Sequence, residues 1–288
     1  MARFNRALAE HLDVKVVPLT SYIRKPLADH VLLSIKLEEI DAETLDGLNG
    51  LATSDVANFS LLLHGTDGSD LEARLCGRSK RLFAASSEMA RVLSALRSDV
   101  TAVFAPGAPV SPRKAPVDCT LLTFGMAHKI RSDGYRRLAE IIRGDSRSFR
   151  LEISTALHEG NSFDENFFEI GEEISDVFDG NVRFLGFLTD AEVSERLREV
   201  EALVAFFPRG VRENNTTVLS AMTHGCAVIT NLDSESPPWM VHNETVFDVN
   251  ELIVFPDNQN LRRVGNRASI AAGKFDFRSL IELLTKDQ

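Results

Sequence analysis

The residues of this chain best suited to chemistry lie between Gly210 and Asn231. A polar turn ends there in four residues that are good at starting helices, Asn214, Asn215, Thr216 and Thr217. A short helix follows, His224-Gly225 closes it, and residues 226–230 are an apolar run of strand type. A helix so placed begins at the carboxyl edge of a parallel sheet, where free N–H groups and the positive dipole end suit phosphate. We therefore predict a phosphate site over residues 214–217; ordinary helix capping is the simpler alternative.

Basic side chains lie where they could neutralise such a phosphate. Arg209 and Arg212 flank Gly210 just before the same helix, and Lys129 and Arg131 follow an apolar strand earlier in the chain. A departing diphosphate gains negative charge in the transition state, and cations together with a helix N-terminus can stabilise it without a metal. We predict that Lys129, Arg131 and Arg212 contact a diphosphate, with solvated loops as the alternative. No metal site is predicted.

His64 is the best single candidate for acid–base chemistry. It ends the apolar run Phe59–Leu63 and precedes Gly-Thr-Asp-Gly, which places it at the mouth of a sheet. We predict that it contacts an acceptor or acts as a general base. A structural histidine bonded within the turn fits the sequence equally well. Asp67 and Asp70, in the same glycine-rich loop, are interpreted as turn and capping residues.

The elements that must position these residues alternate along the first part of the chain. Helices are predicted over 2–12 and 41–51, and strands over 14–19, 31–37, 59–63, 81–84 and 100–104. Residues 105–116 contain four prolines and no periodic pattern, which is typical of a linker. We place a domain boundary near Arg113 and predict an N-terminal domain over residues 1–113.

Residues 114–274 are more regular and are predicted to form a second domain. Strands are predicted over 118–124, 149–155, 182–187, 202–207, 226–230 and 252–255, with helices over 133–143, 165–178, 190–199, 216–224 and 258–271. Apolar strands that alternate with helices favour a parallel sheet covered on both faces. We predict an α/β protein with two Rossmann-like domains that face each other across a cleft, with ligands outside the carboxyl ends of the strands.

Composition narrows the class of protein. The chain has 288 residues, 44% of them hydrophobic and 26% charged, and a net charge of −10 at pH 7. Residues 114–288 carry 19 basic and 28 acidic side chains, so nucleic acid is not expected as a partner. We find no apolar run suited to a transmembrane segment or a secretion signal, which leaves peripheral membrane contact open. Cys76, Cys119 and Cys226 are interpreted as reduced packing residues of a cytoplasmic protein.

Residues 206–231 resemble the nucleotide-sugar signature of GT-B glycosyltransferases, in particular the retaining group that includes sucrose and glycogen synthases. The family signature is a loop, a helix ending in Ala-Met-Ala-x-Gly and a Pro-Val-Val strand. Residues 219–229 of this chain read Leu-Ser-Ala-Met-Thr-His-Gly-Cys-Ala-Val-Ile. The resemblance implies retaining transfer of a sugar from a nucleotide diphosphate sugar to an unknown acceptor, which is a glycan, a lipid or a small molecule. We expect no cofactor beyond this substrate.

Other segments extend the resemblance over most of residues 80–288. Residues 181–188 resemble the segment that contacts the nucleotide base, which implies base contacts by Leu185, Gly186, Phe187 and Leu188. Phe124-Gly125 and the cations that follow resemble the first loop of the donor domain. Residues 275–288 resemble the closing helix that returns towards the N-terminal domain. The strand and glycine-rich loop that usually open the fold do not precede the first helix, which implies a reduced N-terminal domain or a start further upstream.

The paired glutamates of the family, eight residues apart, fall on Arg212 and Ser220 in this chain. In the family the first contacts the donor sugar and the second binds the ribose hydroxyls. By resemblance, Glu213 is the candidate to replace the first, and Ser220 can exchange one hydrogen bond with the ribose. Two alternatives stay open: a non-catalytic relative that binds a nucleotide sugar or a partner enzyme, and a nucleotide-sugar-processing enzyme such as an epimerase.

Overall fold

The computed structural model describes residues 2–26, 30–54, 58–107, 114, 119–126, 132–156 and 165–286. The helices are α1 (Ala2–Leu12), α2 (Leu19–Arg24), α3 (Ala42–Thr53), α4 (Asp70–Arg78), α5 (Ser87–Leu93), α6 (Ser132–Arg143), α7 (Glu165–Val177), α8 (Asp190–Glu199), α9 (Thr216–Thr223), α10 (Asn258–Ala272) and α11 (Phe277–Thr285). The strands are β1 (Val31–Ile35), β2 (Phe59–Leu63), β3 (Leu82–Ala84), β4 (Val100–Ala102), β5 (Thr120–Met126), β6 (Arg150–Ala156), β7 (Val182–Gly186), β8 (Ala202–Val204), β9 (Ala227–Thr230) and β10 (Phe247–Asp248).

The chain divides into two compact units. The first comprises Met1–Ala105 together with Phe277–Gln288, and the second comprises Pro106–Asp276. Arg113, where the sequence suggested a boundary, lies outside the described residues. Both units contain a parallel sheet, and the N-terminal one is the smaller, as expected for an α/β protein with a reduced first domain.

The first unit has a four-stranded sheet in the order β1-β2-β3-β4. Because crossovers between parallel strands are almost always right-handed, strands in sequential order place their connecting helices on one face, and α3, α4 and α5 share one core here. Leu33, Leu61 and Leu82 lie side by side in register on that face and are buried. They form one core with Leu48 of α3 and Leu75 of α4.

The opposite face of this sheet is covered by the first and last helices of the chain. The Ser34 hydroxyl of β1 donates to Asn5 of α1, and His11 of α1 stacks on Phe277 of α11 with ring centroids 4.5 Å apart. The Arg81 guanidinium donates to the last carbonyls of α11, where the helix dipole favours a cation. Residues far apart in sequence therefore build the second layer of the N-terminal unit.

The second unit has a six-stranded, fully parallel sheet in the order β10-β9-β8-β5-β6-β7. Alternate side chains of its strands enter two separate apolar clusters, so that Leu121 lies in one and Leu122 in the other. Helices α6 and α7 contribute to the first cluster, and α8 and α9 contribute to the second. The sheet is thus covered on both faces, and the helices predicted between its strands are confirmed as α6–α10.

The strand predicted over residues 14–19 is wrong. Residues 13–18 have no regular structure, and α2 begins at Leu19. The Pro18 carbonyl accepts the Ser21 and Tyr22 N–H groups, which starts a helix. Within the described chain no strand pairs with this segment, so its alternating valines stay exposed instead of entering a sheet.

The strand predicted over residues 252–255 is also wrong. The two-residue strand β10 takes the place beside β9 at the sheet edge. The Asp248 carbonyl then accepts the N–H groups of Glu251 and Leu252, which turns the chain away from the sheet. As a result Leu252 is still buried, whereas the next two side chains, Ile253 and Val254, are exposed.

Candidate functional site

The strand order of the second unit reverses between β5 and β8. From β5 the chain winds outwards through β6 to β7, and it then returns to β8 and winds the other way through β9 to β10. In folds of this kind, the connections from the two strands at such a reversal run to opposite faces of the sheet and leave a crevice between them. In open parallel sheets, such a reversal is the usual place for a ligand.

Helix α9 begins over this reversal. Gly125, in the last part of β5, has φ +146°, and a Cβ added there would lie 3.8 Å from the Thr217 hydroxyl oxygen. The Asn215 side chain does not cap the helix; its Oδ1 accepts the Arg212 N–H at 2.6 Å instead. The first turn of α9 thus meets the end of β5 without that cap, which is the arrangement that suits an anion.

A second helix begins beside the same reversal. A Cβ at Gly134, in the first turn of α6, would lie 2.1 Å from the Phe206 ring. Tyr135 meets that ring edge-on, with centroids 5.0 Å apart. Because Phe206 follows β8, the starts of α6 and α9 lie at the ends of the two strands that flank the reversal. Lys129 and Arg131, the cations predicted between β5 and α6, lie outside the described residues.

Arg212 is held by a carboxylate. Its Nη1 and Nη2 donate to the two oxygens of Asp233 at 2.8 and 2.9 Å, and Nη1 also donates to the Val211 carbonyl. Burial by itself would raise the pKa of Asp233. The hydrogen bonds that its carboxylate accepts from Arg212, the Glu235 N–H and Ser236, together with the charge of Arg212, outweigh burial and hold that pKa below its ordinary value. A phosphate contact by this guanidinium would have to compete with a bidentate ion pair.

The loops after β8 and β9 are joined by further contacts. Asn231 donates to the Phe207 carbonyl and accepts the Phe207 N–H, and its own carbonyl accepts the Val211 N–H. Gly210 has φ +74°, and a Cβ there would lie 2.8 Å from the Asp233 carboxyl carbon. We call the Asn231–Phe207 and Arg212–Asp233 contacts the loop clamp. It fixes the chain that leads into α9.

Sequence reasoning did not single out Asn231 or Asp233. Both belong to the polar segment that follows the strand β9, so their position at a carboxyl strand end was the available signal. Their pairing with Phe207 and Arg212 depends on β8 and β9 being neighbours, which periodicity along the chain does not reveal.

Glu213 and Ser220, assigned by resemblance to the sugar and the ribose, are both buried. Glu213 directly precedes the asparagines that open α9, and Ser220 lies in the middle of that helix. A Cβ added to Gly107 would lie 2.7 Å from the Leu219 carbonyl oxygen and 2.9 Å from the Ser220 nitrogen. Glycine at position 107 therefore lets the segment after β4 pass directly against α9.

The residues assigned to the base lie at the carboxyl end of β7, which is the sheet edge. Gly186 has φ +69° and its carbonyl accepts the Ser154 hydroxyl of β6 at 2.9 Å. Phe187 is exposed, whereas Leu185 packs partly against the core. Two strand spacings separate β7 from β5, which is about 10 Å.

His64 lies in the first unit, directly after β2. Ser34 donates its hydroxyl proton to Asn5 at 2.7 Å, so it accepts the Nε2–H of His64 at 2.8 Å. This tautomer leaves Nδ1 as the acceptor nitrogen. The Phe4 ring of α1 meets the imidazole edge-on, and burial lowers the pKa of His64 to about 4, so the imidazole is neutral at pH 7.

Comparison with solved structures identifies the architecture. The HepE protein of Anabaena, solved with UDP and glucose, superposes with a TM-score of 0.69 at 14% identity, over 98% of this chain and 88% of that one. Sucrose-phosphate synthase of Thermosynechococcus elongatus gives 0.66 at 13% identity, over 97% and 76%. A glycosyltransferase of Rickettsia africae gives 0.61 at 11% identity, over 99% and 81%.

The chain has the GT-B fold. The expectation of two Rossmann-like domains of this type is confirmed by these superpositions. No family model matches the sequence, and no curated protein matches it. The GT-B likeness is therefore one of fold at low identity.

The described residues bear on metal binding and on membrane crossing. Within them, no three histidine, cysteine, aspartate or glutamate side chains converge as metal ligands. None of their helices combines the length and the apolar character that crossing a bilayer requires.

Loss of either member of the Arg212–Asp233 pair should destabilise the second unit unequally. The arginine side chain is 10% exposed and the aspartate 32%, so Asp233→Ala, which takes the bidentate partner from the more buried charge, costs more than Arg212→Ala. We expect each single change to lower the free energy of unfolding by about 1–3 kcal/mol. Urea unfolding of both single variants and the double variant should give a coupling energy above about 1 kcal/mol between the two side chains. The exposed pair Arg278–Glu282 serves as control, with coupling near zero. Equal coupling in the two pairs would contradict the clamp.

His64 should make stability depend on pH. The folded-state pKa of about 4 lies below the ordinary 6.5. The unfolded chain therefore binds a proton first, and stability falls as pH drops from 6.5 towards 4. The free energy of unfolding of the wild type, minus that of His64→Gln, should decrease over this range by at most about 3 kcal/mol. The exposed His11, replaced by Gln, is the control. A difference that stays constant with pH would show that His64 is not held neutral.

Proposed function

We propose that this chain is a glycosyltransferase that moves a sugar from a nucleotide diphosphate sugar to an acceptor, without a metal or a cofactor. The observation that carries this proposal is the start of α9 over the end of β5, at the reversal of strand order. The fold supports it, since HepE was solved with UDP and glucose and also with UDP-glucose. We further propose a cytoplasmic location and kinship with the retaining sucrose- and glycogen-synthase-like group, on the strength of residues 219–229.

The diphosphate is proposed to bind at the start of α9. Its oxygens would accept the N–H groups of the first turn, with side-chain hydrogen bonds from Asn214, Asn215, Thr216 and Thr217. Thr217 is the most directly supported of these, because its hydroxyl lies against Gly125. Lys129 and Arg131 would supply the neutralising charge. Arg212, tied to Asp233, would act by holding the loop in place and would contribute its positive charge from there.

The rest of the donor is proposed to extend along the carboxyl edge of the sheet. A base at Leu185, Gly186, Phe187 and Leu188 would lie about two strand spacings from the diphosphate, which matches the reach of a nucleoside. The exposed Phe187 ring offers a surface for stacking. Ser220 would bind the ribose and Glu213 the sugar. The buried position of Glu213 suits a directional hydrogen bond to a sugar hydroxyl.

In the proposed reaction an acceptor hydroxyl oxygen bonds to the anomeric carbon of the sugar. The bond from that carbon to the diphosphate oxygen breaks, and the diphosphate leaves with the electron pair. The start of α9 stabilises this growing charge. His64 is proposed to serve the acceptor, since a neutral imidazole with its Nδ1 lone pair available can accept a hydroxyl proton.

A second candidate function is a nucleotide-sugar-binding subunit without turnover. Two observations favour it. Arg212, which stands where the family has its first glutamate, is engaged by Asp233, and Ser220 replaces the second. Binding of a nucleotide sugar without transfer to water or to any acceptor would favour this candidate over the transferase.

Calorimetric titration with UDP, GDP and TDP tests the proposed donor site. We expect one of the three to bind, and Thr217→Val to weaken that binding by about tenfold, because it removes a hydrogen bond to a charged phosphate. The matched control is Thr20→Val, in the first turn of α2 in the other unit. Absence of binding to all three nucleotides, or equal binding by both variants and the wild type, would contradict the site.

A further inference from the structure

Helix α10 and the turn after it carry only positive charge. Residues 258–275 contain Arg262, Arg263, Arg267 and Lys274 and no aspartate or glutamate. Yet residues 114–288 as a whole carry 28 acidic side chains against 19 basic ones. The nearest carboxylates along the chain are Asp257, which caps the start of α10, and Asp276 beyond its end.

The cations share one face of the helix. The opposite face is buried, through Leu261, Val264, Gly265 and Ala268. A Cβ at Gly265 would lie 2.3 Å from the Gly225 carbonyl oxygen, so α10 packs tightly on the end of α9. Helical periodicity places Arg262, Arg263 and Arg267 on the side of Ile270, which is 75% exposed, and the exposed Lys274 follows in the turn after the helix. We call Arg262, Arg263, Arg267, Ile270 and Lys274 the α10 cationic face.

The charge of this face is not neutralised within the described residues. Arg263 donates to Asn243 and Asn260, which are uncharged. Arg262, Arg267 and Lys274 form no ion pair in the part of the chain that the structure describes. Arginines on other helices of this unit behave differently: Arg136 and Arg198, for example, pair with neighbouring glutamates. The α10 cationic face therefore presents its charge to solvent.

Exposed aliphatic side chains adjoin the same face. Ile253 and Val254, in the loop before α10, are 86% and 70% exposed. They line a shallow groove together with Asn243 and Asn260, the two residues that hold Arg263. The apolar loop, whose groove also contains Glu251, therefore adjoins the start of the α10 cationic face through Asn243 and Asn260. Single exposed aliphatics are ordinary, but three of them beside a cluster of unneutralised cations are not.

We propose that this surface docks the protein on an anionic lipid membrane. Cations that meet lipid phosphates, with aliphatic side chains that enter the headgroup region, are the combination that binds peripheral proteins to such surfaces. The three exposed apolar residues are aliphatic, whereas the cores of protein interfaces are enriched in aromatic residues. Charge complementarity and side-chain type both favour lipid over an acidic protein. The proposal does not depend on the donor site.

Vesicle co-sedimentation of the full chain tests this docking. The wild type should bind phosphatidylcholine vesicles that contain phosphatidylglycerol, bind pure phosphatidylcholine weakly, and lose binding at high salt. The combined change Arg262→Glu, Arg267→Glu and Lys274→Glu should lower the partition coefficient by at least about tenfold. Ile270→Ser should lower it too, without altering the dependence on salt, because it removes an inserted side chain and leaves the charge unchanged.

The matched control reverses three exposed cations of the first unit, Arg24→Glu, Lys25→Glu and Lys80→Glu, which changes the net charge equally. It should bind vesicles at least about threefold more tightly than the α10 triple variant, while both variants keep the wild-type melting temperature. Equal loss in the two triple variants would overturn the proposal. So would wild-type binding that ignores phosphatidylglycerol, or a wild type that binds a polyglutamate peptide and no vesicles, which would indicate an acidic protein partner.

Discussion

The handedness of the connections between parallel strands governs the rest of this molecule. Right-handed crossovers allow a sheet to grow in one direction with its helices on one face, or to reverse and cover both faces. The second unit reverses between β5 and β8, which is where open parallel sheets form a ligand crevice. The described strands of the first unit do not reverse, so its other face depends on α1 and α11 from the two ends of the chain. The handedness rule thus accounts both for the expected place of the crevice in the second unit and for the helices on the two faces of the first sheet.

The loop clamp holds the loop after β8 in place and so limits which of its side chains can contact a ligand. Asn231 and Asp233 hold the two ends of that loop through Phe207 and Arg212. A bidentate pair between partly buried charges also orients the arginine away from other partners. Arg212 stands where the resembled glycosyltransferases have a glutamate, and its partner is Asp233 in the loop after β9. We propose that the start of α9 and Glu213 are the groups of this segment that meet a substrate.

Much of this arrangement could be predicted from the sequence, for stated reasons. Helices α6 to α10 and the strands between them have strong periodicity and clear end signals, and the GT-B fold followed from residues 206–231. The strands predicted over residues 14–19 and 252–255 were wrong, because an apolar pattern indicates a strand only where a neighbouring strand is available to pair. The loop clamp could not be predicted, since it joins residues 24 and 21 positions apart whose proximity depends on sheet order. How the candidate site residues act remains a proposal.

A crystal structure of the protein with the nucleotide diphosphate that binds it is the most direct measurement of the central claim. We expect the diphosphate oxygens to accept hydrogen bonds, at about 3 Å, from the N–H groups in the first turn of α9 and from the Thr217 hydroxyl, with the Arg212–Asp233 pair still closed. A diphosphate bound elsewhere would contradict the account. So would one held by an Arg212 that has left Asp233 while the start of α9 makes no contact with it.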